Sequence, residues 1–162
     1  MKNSLMIRPF CDSDAETLYQ MENEIWDSNN TPANVSYPDA QAYLEDHSSQ
    51  DTIVAVLNDL PVGAIDFHPA TSKAASKYTW TFGIGISPQQ QSVGIGGQLL
   101  EHFKHFAKES GVHKIHLRAL GTNPGAIQFY KKHGFEIEGI LKDEFFLNGI
   151  FVADYQMAYF FD

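Results

Sequence analysis

Residues 78–111 constrain the fold of this chain more than any other segment. An apolar, strand-like run from Tyr78 to Ser87 passes through Pro88-Gln89-Gln90-Gln91 into Ser92-Val93-Gly94-Ile95-Gly96-Gly97, and a helix-like run then reaches Gly111. Glycines at these positions remove side chains where a backbone must come close to something. The first turn of a helix leaves N–H groups without partners, and the helix dipole favours negative charge beside them. Strand, glycine-rich turn and helix N-terminus in that order predict an anion cradle, most naturally for phosphate or pyrophosphate. Along the helix-like run Ile95, Leu99, Phe103 and Phe106 recur at spacings of three and four, which predicts one buried stripe.

Three phosphate-binding patterns compete for this segment. A P-loop ends in Gly-Lys-Ser/Thr, whereas Gly97 is followed by Gln98. A dinucleotide fingerprint requires a third glycine and a tight turn off the strand, but Leu99 stands where that glycine belongs and residues 88–91 lengthen the connection. The segment closely resembles the pyrophosphate loop of the GNAT acyltransferases: Arg or Gln, two residues, Gly, one residue, then Gly or Ala, just after a strand. Gln91, Gly94 and Gly96 fit that motif as they stand. Downstream, Asn123-Pro124-Gly125-Ala126-Ile127-Gln128-Phe129-Tyr130-Lys131-Lys132-His133-Gly134-Phe135 resembles the family's Asn, two residues, Ala, Phe-Tyr and closing Gly-Phe. Glu138-Gly139, Gly149, Asp154 and Met157 look like a bacterial branch of the same family. The resemblance covers most of the chain after about residue 50.

Composition narrows the class. At 162 residues one domain, spanning 1–162, is expected, and 43% apolar with 13% aromatic content argues against disorder. Cys11 is the single cysteine, so no internal disulfide forms and a reducing, cytoplasmic compartment is expected. The N-terminal apolar run is interrupted at Arg8 and Pro9, so no signal peptide, spanning helix or membrane partner is expected. A net charge of −9 argues against nonspecific nucleic-acid binding and is compatible with a cationic substrate.

The order of elements predicts an α/β (α+β) fold with a mixed sheet in one layer. Leu5–Phe10 reads as a strand, and Asp12-Ser13-Asp14 offers caps for a helix to about Asp27. Ser28–Tyr37 reads as a loop, and Pro38 as the first turn of a short helix ending near His47. Thr52–Leu57 and Val62–His68 read as a hairpin joined through residues 58–61. Lys114–Leu120, Glu136–Leu141 and Ile150–Phe160 read as strands, and Asn123–His133 as a helix stopped by Gly134. The GNAT resemblance implies that this is a mostly antiparallel sheet flanked by helices, the GNAT acyltransferase fold.

The resemblance further implies acetyl-CoA as co-substrate, no metal, and direct attack by a primary amine of a small molecule or peptide, without a covalent enzyme intermediate. The pyrophosphate is then expected on Gln91, Ser92, Val93, Gly94, Ile95, Gly96 and Gly97. The pantetheine arm is expected along Ile84, Gly85 and Ile86, with one backbone N–H polarising the thioester carbonyl. Asn123, Ala126, Phe129 and Tyr130 are expected near the cofactor, with Tyr130 as general acid toward the departing thiolate. Homodimers are common in the family, so a homodimer is among the expected assemblies.

The base is the departure from the family pattern. An alkyl amine of pKa near ~10.4 is protonated at neutral pH and needs a route for deprotonation. Many relatives carry a glutamate on the strand before the cradle, yet residues 78–84 contain no acid. Glu22 is the first candidate, a carboxylate on a helix face shared with Leu18, Ile25 and Trp26. Asp66 is the second, since Asp66 and His68 point to one side of their strand and Ile65 and Phe67 to the other; water is the third. His102 and His105 have metal-ligand spacing but no third ligand nearby, and Asp154 among apolar residues fixes either a substrate amine or a neighbouring side chain. Two rivals stand beside the acetyltransferase: a CoA-binding regulator without catalysis, which the missing strand glutamate favours, and a dinucleotide oxidoreductase, which Leu99 disfavours.

Overall fold

Among residues 4–91 and 93–162, which the computed structural model describes, seven strands and four α-helices form. The strands are β1 (Leu5–Pro9), β2 (Thr52–Leu57), β3 (Leu60–Pro69), β4 (Thr79–Ile86), β5 (Lys114–Leu120), β6 (Glu136–Leu147) and β7 (Ile150–Phe160). They make one sheet in the order β1-β2-β3-β4-β5-β7-β6. The pairs β1/β2, β2/β3, β5/β7 and β6/β7 are antiparallel, and β4 joins β5 in parallel. The helices are α1 (Ala15–Ile25), α2 (Ala40–Asp46), α3 (Ile95–Glu109) and α4 (Pro124–Lys132). This is the mixed, mostly antiparallel sheet flanked by helices that the sequence predicts.

Packing divides the chain into two units. The first holds β1, α1, α2, β2, β3 up to His68, β4 from Phe82, and α3 up to Ala107. Its core is built by Phe10, Ala15, Leu18, Met21, Tyr43, Val54, Val56 and Ala64. Ile95, Leu99, Leu100, Phe103 and Ala107 of α3 are buried, and Phe103 packs on Phe67 and Phe82 at 5.1 and 5.0 Å between ring centroids. The predicted stripe holds except at its end: Phe106 stays exposed while its ring lies 5.5 Å from Phe67.

Local chemistry moves several predicted boundaries. Before α1 the chain makes a 3-10 turn over Asp12–Asp14, and the Asp14 carboxylate accepts the Cys11 N–H at 2.9 Å. Asp14 also receives both Arg8 guanidinium nitrogens, at 2.7 and 2.8 Å. Helix α1 ends at Ile25, so Trp26 lies beyond it. Helix α2 begins two residues after Pro38, because the Asp39 side chain accepts the Ala42 N–H and so acts as N-cap. The hairpin turn is two residues rather than four. Asn58 and Asp59 both adopt positive φ (50° and 67°), as a type I′ turn demands, and strand pairing resumes at Leu57↔Leu60. A bulge follows, with Val56↔Pro61 and then Ala55↔Gly63.

The second unit holds the segment Trp26–Asn34, the chain from Pro69 to Thr81, and everything from Lys108 onward. Within it Ile115, Leu117, Val152, Met157 and Ala158 are buried, beside a run of rings from Phe135 through Tyr159 to Phe161. Strand β6 continues six residues past its predicted end at Leu141. The charged run Lys142-Asp143-Glu144 hides the continuation in sequence; the ladder is irregular there, Asp143 has φ 51°, and pairing resumes at Phe145↔Val152.

Candidate active site

The glycine-rich loop forms where the sequence puts it. Strand β4 ends at Ile86, a 3-10 turn covers Pro88–Gln90, and α3 starts at Ile95. Gly94 supplies the turn with φ 89°, and its carbonyl accepts the Gln98 N–H at 3.2 Å, which makes it the residue that opens the helix. A Cβ at Gly94 would meet no atom within 4 Å. The N–H groups of the first turn lack intrahelical partners by helix geometry. Gln91 has a structural task as well: its side-chain amide donates to the Ile86 carbonyl at 3.0 Å and ties the loop to the strand end. Val93 is exposed, Gly96 and Gly97 are half-buried, and Ser92 lies outside the described residues.

The strand that leads into the loop pairs with β5 over only part of its length. The ladder from β4 to β5 covers Thr79–Thr81 and stops there, before Ile84, Gly85 and Ile86. On the β3 side these residues pack closely: a Cβ at Gly63 would lie 2.5 Å from the Ile86 Cδ1 and 3.1 Å from the Gly85 carbonyl oxygen. A side chain at position 63 would turn the end of the Ile86 side chain aside and press on the Gly85 carbonyl by a few tenths of an ångström.

Asp66 lies beside the same strand. Its Oδ1 would be 3.4 Å from a Cβ on Gly83, so the β3 carboxylate fills side-chain space next to a β4 residue that has none. The predicted alternation holds, with Ile65 and Phe67 buried and Asp66 and His68 exposed. Asp66 nonetheless has its carboxyl pushed up by burial, against the opposing effects of His47 and His68. Glu22 is half-buried on α1.

Sequence reasoning missed the aromatic residues of this region. Tyr43 is fully buried, its ring stacks on His47 at 3.9 Å, and its hydroxyl has no hydrogen-bond partner. Burial, then Glu22 and Asp66, push the Tyr43 phenol up. Burial, Asp46, Glu22 and Asp66 raise Tyr37 to about 12. Tyr37 is held by a double hydrogen bond with the Asn23 side chain, at 2.7 and 2.8 Å. The available signal was the Tyr43/His47 pair, four residues apart on one helix face.

In the second unit the Asn123 side chain accepts the Ala126 N–H at 3.3 Å and caps α4. The helix closes with a Schellman motif: Phe135 N–H to the Tyr130 carbonyl, Gly134 N–H to the Lys131 carbonyl, and Gly134 at φ 87°. Tyr130 is thereby fixed at the helix end, its ring 5.2 Å from Phe129 and 5.7 Å from Phe135. Burial pushes its phenol up, so it remains a proton donor throughout the physiological range. Ala126 and Phe129 are half-buried. Asp154 is buried and takes the Arg118 guanidinium, Nε to Oδ2 at 2.5 Å, so its partner is a neighbouring side chain. His102 and His105 are exposed, and no group of three or more His, Cys, Asp or Glu gathers around a metal position among the described residues. No helix among them is long and apolar enough to cross a membrane.

Comparison with known proteins agrees with this geometry. Residues 15–135 match the acetyltransferase (GNAT) family, and the chain belongs to that family. The probable N-acetyltransferase san of Drosophila melanogaster is 40% identical over 86 residues, a match spanning 52% of this chain and 46% of that protein. The chain thus covers less than half the length of that relative. The crystal structure of smu.2055 from Streptococcus mutans UA159 superposes with a TM-score of 0.88 at 31% identity, covering 96% of this chain and 98% of the other. A GNAT superfamily phosphinothricin acetyltransferase from Sinorhizobium meliloti, solved in complex with acetyl-CoA, shares the fold with a TM-score of 0.84 at 20% identity, over 98% of this chain and 88% of that one.

Proposed function

We propose that this protein is an acetyl-CoA-dependent N-acetyltransferase that moves an acetyl group directly onto a primary amine of a small molecule or peptide. The observation that carries the reading is the β4–loop–α3 junction, where Gly94 at φ 89° precedes the helix start and a Cβ on it would meet no atom within 4 Å. There the N–H groups of Gln91 to Gly97 would hold the pyrophosphate, and backbone at Ile84–Ile86 would hold the pantetheine arm and polarise the thioester carbonyl. Asn123, Ala126 and Phe129 complete the proposed cofactor contacts. Tyr130 is the proposed general acid, and the base comes from the carboxylates, with Glu22 the first candidate. A cytoplasmic, bacterial setting and a homodimer belong to the same reading, on the strength of the lone Cys11 and the family pattern.

The test is the thermal midpoint with and without acetyl-CoA, beside NADH and ATP. A ligand at about a hundred times its dissociation constant adds about 2.7 kcal/mol of stability. A rise with acetyl-CoA alone is expected; none, with folded protein, would remove the acyltransferase reading. The lack of any acid on β4 supports one alternative, a CoA-binding sensor without catalysis. Release of CoA thiol on mixing with an amine panel separates the two.

A further inference from the structure

We propose that Asp66 receives the ammonium group of the acceptor and takes its proton, with the Tyr43 hydroxyl as a second polar group on the same face of the sheet. This rests on the acetyltransferase reading above and assigns the base that the reading leaves among several carboxylates. Three observations carry it. Asp66 borders Gly83, and Gly83 directly precedes the backbone proposed for the thioester, so a β3 carboxylate stands beside the strand that lacks one of its own. The Tyr43 hydroxyl is fully buried with no partner, an arrangement that costs roughly 1–3 kcal/mol and that a bound polar group relieves. Tyr43 shares a core cluster with Ala64, and Asp66, two residues further along β3, lies on the same face of that strand.

The surroundings suit a cation. Glu22 from α1, Asp46 from the end of α2 and Asp51 before β2 act on this region together with Asp66. His47 and His68 oppose them, and Tyr37 donates a hydrogen bond to Asp46. Glu22, half-buried on α1, is assigned to hold the ammonium in this proposal, and Asp66 to deprotonate it. In the reaction one N–H proton of the ammonium passes to the Asp66 carboxylate. The freed lone pair forms the N–C bond to the acetyl carbon and the C–S bond breaks. Tyr130 gives its phenol proton to the departing thiolate and regains one from the second N–H of the acylated nitrogen, and Asp66 returns its own proton through its exposed side to solvent.

The experiment measures kcat and KM against pH for the wild type, Asp66→Asn, Asp66→Glu and Glu22→Gln, by CoA thiol release. The amines are spermidine, L-lysine and a peptide with a free N-terminus, and each variant's thermal shift with acetyl-CoA is recorded alongside. Burial raises the Asp66 carboxyl, so the base form is lost as pH falls, and the acid limb of kcat/KM should lie above the ordinary carboxylate range. Asp66→Asn should lower kcat by about 10²-fold or more and abolish that limb, with the acetyl-CoA shift intact. Asp66→Glu should recover part of the rate, and Glu22→Gln should raise KM more than it lowers kcat. An Asp66→Asn enzyme with wild-type kcat and an unchanged limb overturns the proposal and leaves the acetyltransferase reading standing. Acetyl-CoA binding without transfer to any amine overturns it in favour of the sensor. Loss of acetyl-CoA binding by the wild type removes both readings.

Discussion

Replacing Gly94 by alanine tests the phosphate cradle at its most constrained residue. Its φ of 89° is a conformation that side chains disfavour by roughly 1–2 kcal/mol, while the added Cβ meets no atom within 4 Å. The cost in the free protein is therefore backbone strain alone. For a domain of this size about 1–2 kcal/mol lowers the thermal midpoint by roughly 2–8 °C. The effect on ligand is separate. If the loop relaxes toward negative φ, at least one N–H turns away from the pyrophosphate, and a hydrogen bond to a charged group is worth about 1.5 kcal/mol or more. That weakens acetyl-CoA by about tenfold, and the stabilisation at a fixed ligand concentration falls from about 2.7 to about 1.4 kcal/mol. Scanning calorimetry with and without acetyl-CoA reads both quantities. Gly125→Ala is the matched control, since Gly125 sits inside α4 with its nearest atom, Asn123 Oδ1, 3.9 Å from the added carbon. It should gain about 0.5–1 kcal/mol. A Gly94→Ala protein as stable as wild type, with an undiminished acetyl-CoA shift, would refute both the conformational requirement and the cradle.

Two further outcomes are expected. Tyr130→Phe should lower kcat by about 10²-fold while the acetyl-CoA thermal shift is unchanged, and an unchanged kcat where chemistry limits the rate removes Tyr130 from the mechanism. Asp14→Asn should lose roughly 1–3 kcal/mol at neutral pH, because it weakens the paired contacts with Arg8 and the tie to the Cys11 N–H. Burial raises the Asp14 carboxyl, but the Arg8 hydrogen bonds, the Cys11 N–H and the Arg8 charge outweigh it and hold the carboxyl below its usual range. Its contribution is thus present above the unfolded pKa of about 3.9 and vanishes as pH falls through the lower folded value. The gap between the two proteins' urea midpoints should be narrower near pH 3 than at neutral pH; a gap that stays constant refutes the assignment.

The local structure of the proposed cofactor half was legible because it is written in local chemistry. Gly94 must be glycine for its φ, Asn123 must cap α4, and Gly134 must close it, and each such demand leaves its mark within a few residues of sequence. The acceptor half depends on contacts distant in sequence. Nothing near Gly83 announces that Asp66 lies against it, and nothing near Tyr43 announces Glu22 and Asp66. Asp154 shows the same limit: its apolar neighbours in β7 singled it out with two roles open, and Arg118 became its partner only when β5 paired with β7. The charged bulge at Lys142-Asp143-Glu144 misled for the converse reason, since alternation is lost in sequence while the strand continues.

The face on which Asp66 lies follows from the hairpin, not from Asp66 or its immediate neighbours. The Asn58-Asp59 turn alone would pair Leu57 with Leu60, Val56 with Pro61, and so on in strict register, bringing Ile65 opposite Thr52. The extra residue at Val62 advances the count by one, so that Asp66 lies opposite Thr52 instead. Residues directly opposite in a ladder point to one face, and a slip of one residue exchanges the faces. Without the bulge, Ile65 would take the Gly83 side and the carboxylate would point to the other face. The same bulge also serves the cofactor loop, because the Val62 carbonyl accepts the Ser87 N–H at 2.8 Å where β4 gives way to the turn. One inserted residue therefore sets both the proposed base and the start of the phosphate cradle. A change that removed it would disturb acceptor chemistry and cofactor binding together, whereas Asp66→Asn disturbs the first alone.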